Sequence, residues 1–187
     1  VIVAPQACYQ PKTLTDGNKV WGLSVQLYCL RSDNNWGVGD FSDLAYLTAN
    51  AAQKGADFIG LNPIHSLYPA NPSACSPYGP SSRRWLNFIY IDGYEQDSVQ
   101  VIVNEAAFQA TLNQARETDL VDYPSVSKLK LSALSAVFDW QRTQYFSKNT
   151  SKNRAFKAFI TQGGESLQTI AVYDALQEDL AGKGKAS

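Results

Sequence analysis

The sequence contains no methionine, one histidine (His65) and three widely spaced cysteines (Cys8, Cys29 and Cys75). A single histidine excludes a histidine-rich metal site. The cysteines have neither the C-x-x-C spacing of a zinc site nor the even number typical of a disulfide framework. We therefore predict free thiols, a reducing compartment such as the cytoplasm, and no metal or organic cofactor. Because methionine is missing even at position 1, we also expect the chain to be part of a longer polypeptide.

Two further absences limit the class of partner. The formal net charge is −1, so the chain lacks the basic patch that binds nucleic acid or an anionic membrane surface. No apolar run approaches the ~20 residues that a membrane span needs. With 44% hydrophobic and 18% charged residues, the composition is that of an ordinary globular protein. We expect neither nucleic acid nor membrane as a partner.

The first third of the chain carries a strand, a helix and a second strand. Apolar and polar residues alternate over 21–30, which is typical of a strand. Asp40 is a good N-cap for a helix that begins at Phe41, and Gly55 is suited to the position just after that helix. Residues 58–64 are nearly all apolar, as in a strand covered on both faces. Together these elements predict a βαβ unit and a parallel sheet.

Residues 65–87 predict a long loop, and residues 88–91 predict a third strand. Within residues 74–92 lie several hydroxyls, two arginines, tyrosine, tryptophan and asparagine, but no acidic residue before Asp92. Flat rings can stack on a sugar, and forked donors and acceptors can orient it. The segment therefore predicts a site that binds a neutral polyhydroxylated ligand rather than a catalytic site.

Helical patterns dominate the second half of the chain. They cover residues 105–117, 124–146, 153–162 and 165–180. We therefore divide the chain into a lead-in segment (1–20), βα units with the long loop (21–103) and a helical subdomain (104–187).

Five motifs follow one another in the first ninety residues. They are Val25–Tyr28, Leu30–Ser32, Asn35–Phe41, Ile59–His65 and Ser76–Asn87. In this order they resemble the 4-α-glucanotransferases (amylomaltase, or disproportionating enzyme), in the form found in bacterial maltodextrin metabolism. The resemblance extends over the whole chain, including its helical half.

The resemblance implies an α/β fold, namely the first two or three strands of a (β/α)8 TIM barrel with an inserted helical subdomain. It also implies transfer of α-1,4-glucan segments between maltodextrins, with the remainder of the parent polypeptide as a partner. The family mechanism is a retaining double displacement with an aspartate nucleophile, a glutamate acid/base and a further aspartate that holds the donor sugar.

The catalytic carboxylates of that family lie on later barrel strands, and no segment of this chain matches their motifs. We therefore assign no catalytic role to Asp33, Asp40, Asp43 or Asp92. A complete barrel needs eight strands and about 200 residues or more. We expect a piece of a catalytic domain that has no transferase activity by itself.

Five residues are predicted to bind substrate. Tyr78 resembles the family's tyrosine that stacks on the sugar at the cleavage point, and Ser76 matches a position that hydrogen-bonds sugar. Asn87, Trp36 and Arg84 complete the set. Each has a structural alternative: a packed turn tyrosine, a turn cap, an asparagine bonded to backbone, an anchoring tryptophan and a salt-bridged arginine.

Two other functions remain open at this point. One is an α-glucan hydrolase of the same barrel superfamily, which the missing carboxylates and acceptor loops would distinguish. The other is a non-catalytic carbohydrate-binding domain. The strands beginning near Leu23 and Phe58 resemble strands buried on both faces, so we expect them to need further neighbours. By itself the chain is then predicted to expose strand edges and to associate.

Overall fold

A computed structural model describes residues 3–92, 99, 102–146 and 148–184 of the chain. Strands lie in the first half and helices dominate the second, which makes a mixed α/β arrangement. In chain order the elements are α1 (Lys12–Thr15), β1 (Gly22–Val25), α2 (Phe41–Gln53), β2 (Phe58–Leu61), β3 (His65–Ser66), β4 (Ser82–Leu86), α3 (Ala106–Glu117), α4 (Tyr123–Gln141) and α5 (Ser151–Gly182).

The predicted βαβ unit is confirmed. Strands β1 and β2 pair in parallel, with Gly22 opposite Phe58 and Val25 opposite Leu61, and helix α2 connects them. β1 ends earlier than expected, because residues 27–29 turn into a short 3-10 helix. Phe58 is 52% exposed, as expected for a strand that lacks further neighbours.

Helix α2 begins and ends where the sequence predicts. One carboxylate oxygen of Asp40 accepts hydrogen bonds from the backbone of Ser42 and Asp43 at 3.0 and 3.3 Å. The Asp43 carboxylate in turn accepts from the Asp40 N–H at 3.0 Å, which completes a capping box. After the helix, Gly55 adopts φ +84°, the left-handed conformation that favours glycine.

The prediction of a strand at residues 88–91 is wrong, and the predicted loop 65–87 contains the strands instead. β3 and β4 pair antiparallel within it, with His65 opposite Leu86. The Asn87 side chain then accepts a hydrogen bond from the Ile89 N–H at 3.2 Å and turns the chain into a 3-10 helix. Ile89 and Tyr90 are buried in the core, so their apolar character reflects burial and not strand pairing.

All four predicted helical segments are helical. α4 ends at Gln141 and continues as a π-helical turn over Arg142–Phe146. The last two predicted helices form the single element α5, which Gly164 interrupts with φ 54° and ψ −147°. Gly164 therefore separates the two helical segments close to the predicted boundary.

The hydrophobic core joins α3 and α4 to the loop after β1. Trp36 packs edge-on against Phe108 of α3, with ring centroids 5.1 Å apart. On α4, Val126, Leu129 and Ala133 are buried in the same cluster. The helical half therefore covers the loop that precedes α2.

A lysine lies in this core. Lys130 on α4 is fully buried, and its Nζ donates a hydrogen bond to the Ile91 carbonyl at 2.7 Å. The same atom is 3.6 Å from Asp40 Oδ2 and 5.3 Å from the centre of a Trp36 ring. A buried charge is costly unless it is paired and hydrogen-bonded, and both conditions hold here.

The three cysteines are free thiols; Cys8 and Cys29 are exposed and Cys75 is half-buried. Within the described ranges, no helix has the length and apolar character that crossing a membrane requires. In the same part of the chain, no three histidine, cysteine, aspartate or glutamate side chains converge as they would around a metal ion.

Candidate functional site

The loop that joins β3 to β4 is folded by successive turns. The Asn71 N–H donates to the Tyr68 carbonyl at 2.9 Å, and the Gly79 N–H donates to the Ser76 carbonyl at 3.1 Å. At its end, the Ser81 N–H and hydroxyl both donate to the Ser66 carbonyl, at 2.9 and 3.1 Å. These bonds fix the loop on the edge of the hairpin.

A cleft of about 630 Å³ lies between the end of this loop, strand β4 and the second segment of α5. This volume falls within the ~300–1,000 Å³ typical of small-molecule sites. Its lining residues are Ser81, Ser82, Arg84, Trp85, Gly163, Glu165, Ser166, Thr169, Ile170 and Tyr173. Gly164 changes the helix direction at one end of the cleft, and its φ of 54° favours glycine there.

A second hollow of about 230 Å³ adjoins the cleft. Tyr173 lines both, so the two spaces meet at this residue. The second hollow is lined by residues 68–71, Ala74, Asp174 and Gln177. The turns of the loop and one face of α5 therefore border a continuous surface.

The chemistry of this surface suits a neutral polyhydroxylated ligand. The cleft combines the rings of Trp85 and Tyr173 with the hydroxyls of Ser82, Ser166 and Thr169. Aromatic rings supply flat apolar contact, whereas hydroxyls both donate and accept hydrogen bonds. One cation, Arg84, and one anion, Glu165, also line it, so the cleft does not favour a ligand of one charge.

Asp174 is the unusual group of the second hollow. Its Oδ1 is inaccessible to solvent and has no hydrogen-bond partner among the described residues. Burial raises the pKa of this carboxyl above its usual value. An unpaired buried acceptor is costly, so the site can gain from a ligand that donates a hydrogen bond.

Comparison with known proteins now decides the family. The family model described as 4-alpha-glucanotransferase matches residues 25–186, which is most of the chain. The chain belongs to the 4-alpha-glucanotransferase family. The resemblance seen in the sequence motifs is therefore confirmed.

Individual relatives agree with this assignment. The chain is 41% identical over 182 residues to a 4-alpha-glucanotransferase of Haemophilus influenzae, covering 94% of this chain and 26% of the relative. It is 31% identical over 189 residues to a 4-alpha-glucanotransferase of Mycobacterium bovis, covering 95% and 25%. The chain thus spans about a quarter of the length of these 4-alpha-glucanotransferases.

A solved structure resembles the fold. The crystal structure of amylomaltase from Corynebacterium glutamicum superimposes with a TM-score of 0.71 at 30% sequence identity. The match covers 90% of this chain and 24% of that amylomaltase. The arrangement of strands and helices is therefore shared with a segment of that amylomaltase over nearly the whole chain.

Three of the five residues predicted to bind substrate are accessible. Tyr78 is 69% exposed, and Ser76 lies exposed in the turn that precedes it. Arg84 is exposed on β4 and is the one member of the predicted set that lines the cleft. Arg84 forms no salt bridge among the described residues, so the alternative of a salt-bridged structural arginine is not supported.

The other two predicted residues, Trp36 and Asn87, are each only 4% exposed. Trp36 packs against Phe108, and Asn87 donates its N–H to the Ile64 carbonyl at 3.0 Å while capping the turn that follows β4. Both therefore lie beneath the loops rather than on the surface that the cleft presents.

Several residues of the site were not predicted. Thr169, Tyr173 and Gln177 recur every four residues on one face of α5 and border the two hollows. A stripe of hydroxyl, ring and amide at helical spacing is a signal that a sequence can give. It does not indicate which loop the stripe faces, because that contact joins segments about ninety residues apart in the chain.

Proposed function

We propose that this chain is part of a 4-α-glucanotransferase that transfers α-1,4-glucan segments between maltodextrins by a retaining double displacement. The family match over residues 25–186 carries the proposal, and the two relatives named above bear the same activity name. In this scheme one carboxyl protonates the leaving oxygen while another forms a covalent glycosyl-enzyme. A sugar acceptor then attacks this intermediate and releases the enzyme.

Within such an enzyme, we assign to residues 21–103 the first two or three βα units of a TIM barrel and to residues 104–187 an inserted helical subdomain. The parallel pair of β1 and β2 joined by α2 supports the first assignment. Helices α3, α4 and α5 support the second. The remainder of the longer polypeptide is then the main protein partner of this chain.

The role proposed for the chain is to hold glucan rather than to cleave it. The cleft between β4 and α5 has the rings and hydroxyls for sugar, and Arg84 lies within it. Tyr78 and Ser76 lie on the neighbouring loop and are accessible to a ligand. Trp36 and Asn87 remain predicted contributors, and their burial fits a supporting position better than direct sugar contact.

We propose that the catalytic carboxylates lie in other segments of the longer polypeptide, outside this chain. The chain by itself is then inactive. Three free thiols favour a reducing compartment, and we propose the cytoplasm. No cofactor is part of the proposed reaction.

Products formed from maltotriose test the function. A polypeptide of the relatives' full length that contains this chain should release glucose and form longer maltodextrins, whereas the 187-residue chain alone should do neither. Activity of a highly purified 187-residue chain would contradict the assignment of the carboxylates elsewhere. If both proteins bind maltodextrin and neither converts maltotriose, the proposed function becomes that of a non-catalytic carbohydrate-binding domain.

The role of the cleft has a matched pair of variants. Arg83 and Arg84 are adjacent, exposed residues of β4, and successive strand residues point to opposite faces. Only Arg84 of the two lines the cleft. Arg84→Ala should weaken maltodextrin binding by about tenfold, which corresponds to one charge-assisted hydrogen bond, whereas Arg83→Ala should not change it. Equal effects of the two changes would exclude the cleft as the binding site.

A further inference from the structure

Lys130 joins two loops that are far apart in the sequence. From α4 its ammonium group reaches the Ile91 carbonyl at 2.7 Å and the Asp40 carboxylate at 3.6 Å. Ile91 follows the 3-10 turn after β4, and Asp40 ends the loop after β1. A single buried side chain on the helical half therefore fixes two loops of the strand-containing half.

Each of these loops carries a residue predicted to bind substrate. Trp36 lies in the loop after β1, 5.3 Å from the Lys130 ammonium, and Asn87 begins the turn that ends at Ile91. The turn is bonded to Asn87 at its start and to Lys130 just after its end. β4, which carries Arg84, is continuous with that turn. A displacement of Ile91 would therefore also displace β4, which forms a wall of the cleft.

Packing alone does not require a charge at this position. Well-packed apolar side chains in place of a buried ion pair are often neutral or stabilising. The charge differs from an apolar filler in one respect, because it holds a carbonyl and a carboxylate at defined distances. The arrangement is therefore better suited to fixing geometry than to adding stability.

We propose that Lys130 is a positioning residue, which fixes the loop before Asp40 against the turn before Ile91 and so sets the geometry with which the enzyme binds its glucan donor. This inference rests on the proposed glucanotransferase function. Lys130 itself touches no substrate in this scheme, and its effect should appear mainly in KM.

The charged groups that act on Lys130 come from two elements. Asp40 and Asp43 face it from the start of α2, and Asp92 faces it from the segment after the 3-10 turn. Burial lowers the pKa of Lys130 to about 8, although these three carboxylates raise it. The ion pair with Asp40 should therefore weaken as the pH rises through that value.

The test uses the polypeptide of the relatives' full length, with KM and kcat for maltotriose and thermal stability as readouts. Lys130→Met removes the ammonium but leaves the Asp40 carboxylate buried without its partner. The double variant Lys130→Met/Asp40→Asn removes both charges, and asparagine still caps α2. Leu129→Ala is the matched control, since Leu129 is the adjacent buried residue of α4 and its apolar side chain can form neither the hydrogen bond to Ile91 nor the ion pair with Asp40.

We expect the double variant to recover most of the thermal stability that Lys130→Met loses, yet to keep a KM raised by about tenfold. Leu129→Ala should lower the thermal stability and leave KM unchanged. The wild-type KM should rise as the pH passes through about 8, whereas the KM of the double variant should not change there.

A double variant with wild-type KM would overturn the proposal, because Lys130 would then serve stability alone. A raised KM in Leu129→Ala would also overturn it, because any loosening of α4 would have the same effect. Failure of the proposed function gives a different result, because the wild-type polypeptide would then form no products from maltotriose. The inference about Lys130 would be overturned together with that function.

Discussion

Removing the Lys130 ammonium should change the stability of the chain in a pH-dependent manner. The substitution Lys130→Met leaves the Asp40 carboxylate in the core, where its side chain is 6% exposed. Breaking a buried pair by removing one partner costs about 3–5 kcal/mol. The lowered pKa of Lys130 opposes this cost, because it means that the buried ammonium itself destabilises the folded state near pH 7. We therefore expect the free energy of unfolding near pH 7 to fall by only about 1–2 kcal/mol.

The wild-type chain should become more stable above pH 8. Burial lowers the pKa of Lys130 from 10.5 to about 8, so between these values the unfolded state binds more protons than the folded state. The free energy of unfolding rises with pH wherever this holds. At ~1.4 kcal/mol for each pKa unit, the gain from pH 8 to pH 10 is about 2 kcal/mol.

The variant should lack this gain and should behave differently in acid. Burial already raises the pKa of Asp40, and Lys130 opposes that rise. Without Lys130 the carboxyl takes up a proton more readily, so the deficit of the variant should shrink as the pH falls below neutral. Burial also raises the pKa values of Tyr90 and Tyr123, which lowers stability only above about pH 10.

Urea denaturation followed by tryptophan fluorescence measures these changes. It is done with the 187-residue chain at concentrations low enough to keep it monomeric. Trp36 is one of the four tryptophans that give this signal, and its ring lies 5.3 Å from the Lys130 ammonium. Lys130→Met/Asp40→Asn is the control and should be close to wild type near neutral pH. A wild-type stability that stays flat from pH 8 to 10, or a Lys130→Met chain that gains as much stability as wild type over that range, would refute the reasoning.

Three further predictions concern single positions. Gly37→Ala should lower the free energy of unfolding by about 2 kcal/mol or more, since φ is +83° and the new Cβ would lie 2.5 Å from the Ala115 carbonyl oxygen. Gly55→Ala is the control for the same urea titration. It should lower the free energy of unfolding less, because Gly55 has φ +84° but open space around the new Cβ. Tyr78→Ala should change the free energy of unfolding by no more than about 0.5 kcal/mol, because the ring is 69% exposed. It should weaken maltodextrin binding measured by calorimetry. A loss of stability with unchanged binding would identify a structural tyrosine. Asp174→Asn should weaken maltodextrin binding more at neutral pH than in acid, because protonation of the carboxyl, favoured by its raised pKa, makes it resemble the neutral amide. A ratio of affinities independent of pH would count against a role for the carboxylate.

Local features of the fold could be predicted because neighbouring residues determine them. Asp40 and Asp43 cap the start of α2 through bonds that span three residues. Gly55 ends that helix because its φ of +84° favours glycine. The apolar run that begins at Phe58 follows α2 after a short turn, and strands that are consecutive in the chain and joined by one helix usually pair in parallel, so the βαβ unit follows from the order of its elements. The family resemblance adds the expectation of a TIM barrel with an inserted helical subdomain, which these patterns alone do not specify and which stays a prediction.

The errors and omissions come from contacts between distant residues. The segment 88–91 is apolar and β-branched, but Asn87 turns it away from the sheet and the core buries Ile89. Lys130 would be placed on the solvent side of a helix by its charge, whereas Asp40 and Ile91 hold it in the core from segments 90 and 39 residues away. Neither outcome follows from the local pattern of hydrophobic residues.

The candidate site shows the same division. Arg84 could be selected from the composition of its loop, and it lines the cleft. The opposite wall comes from α5, where the polar stripe of Thr169, Tyr173 and Gln177 is visible in the sequence but its partner is not. Trp36 has the residue type of a sugar-stacking platform, yet the contact with Phe108 holds it in the core.

The fate of labelled glucose tests the central claim most directly. The polypeptide of the relatives' full length is incubated with unlabelled maltotriose and isotopically labelled glucose, and the products are separated by length. A 4-α-glucanotransferase should place the label in maltose and longer maltodextrins, because glucose accepts the glucan segment from the enzyme. Release of glucose and maltose with the label confined to free glucose would contradict the account and identify a hydrolase.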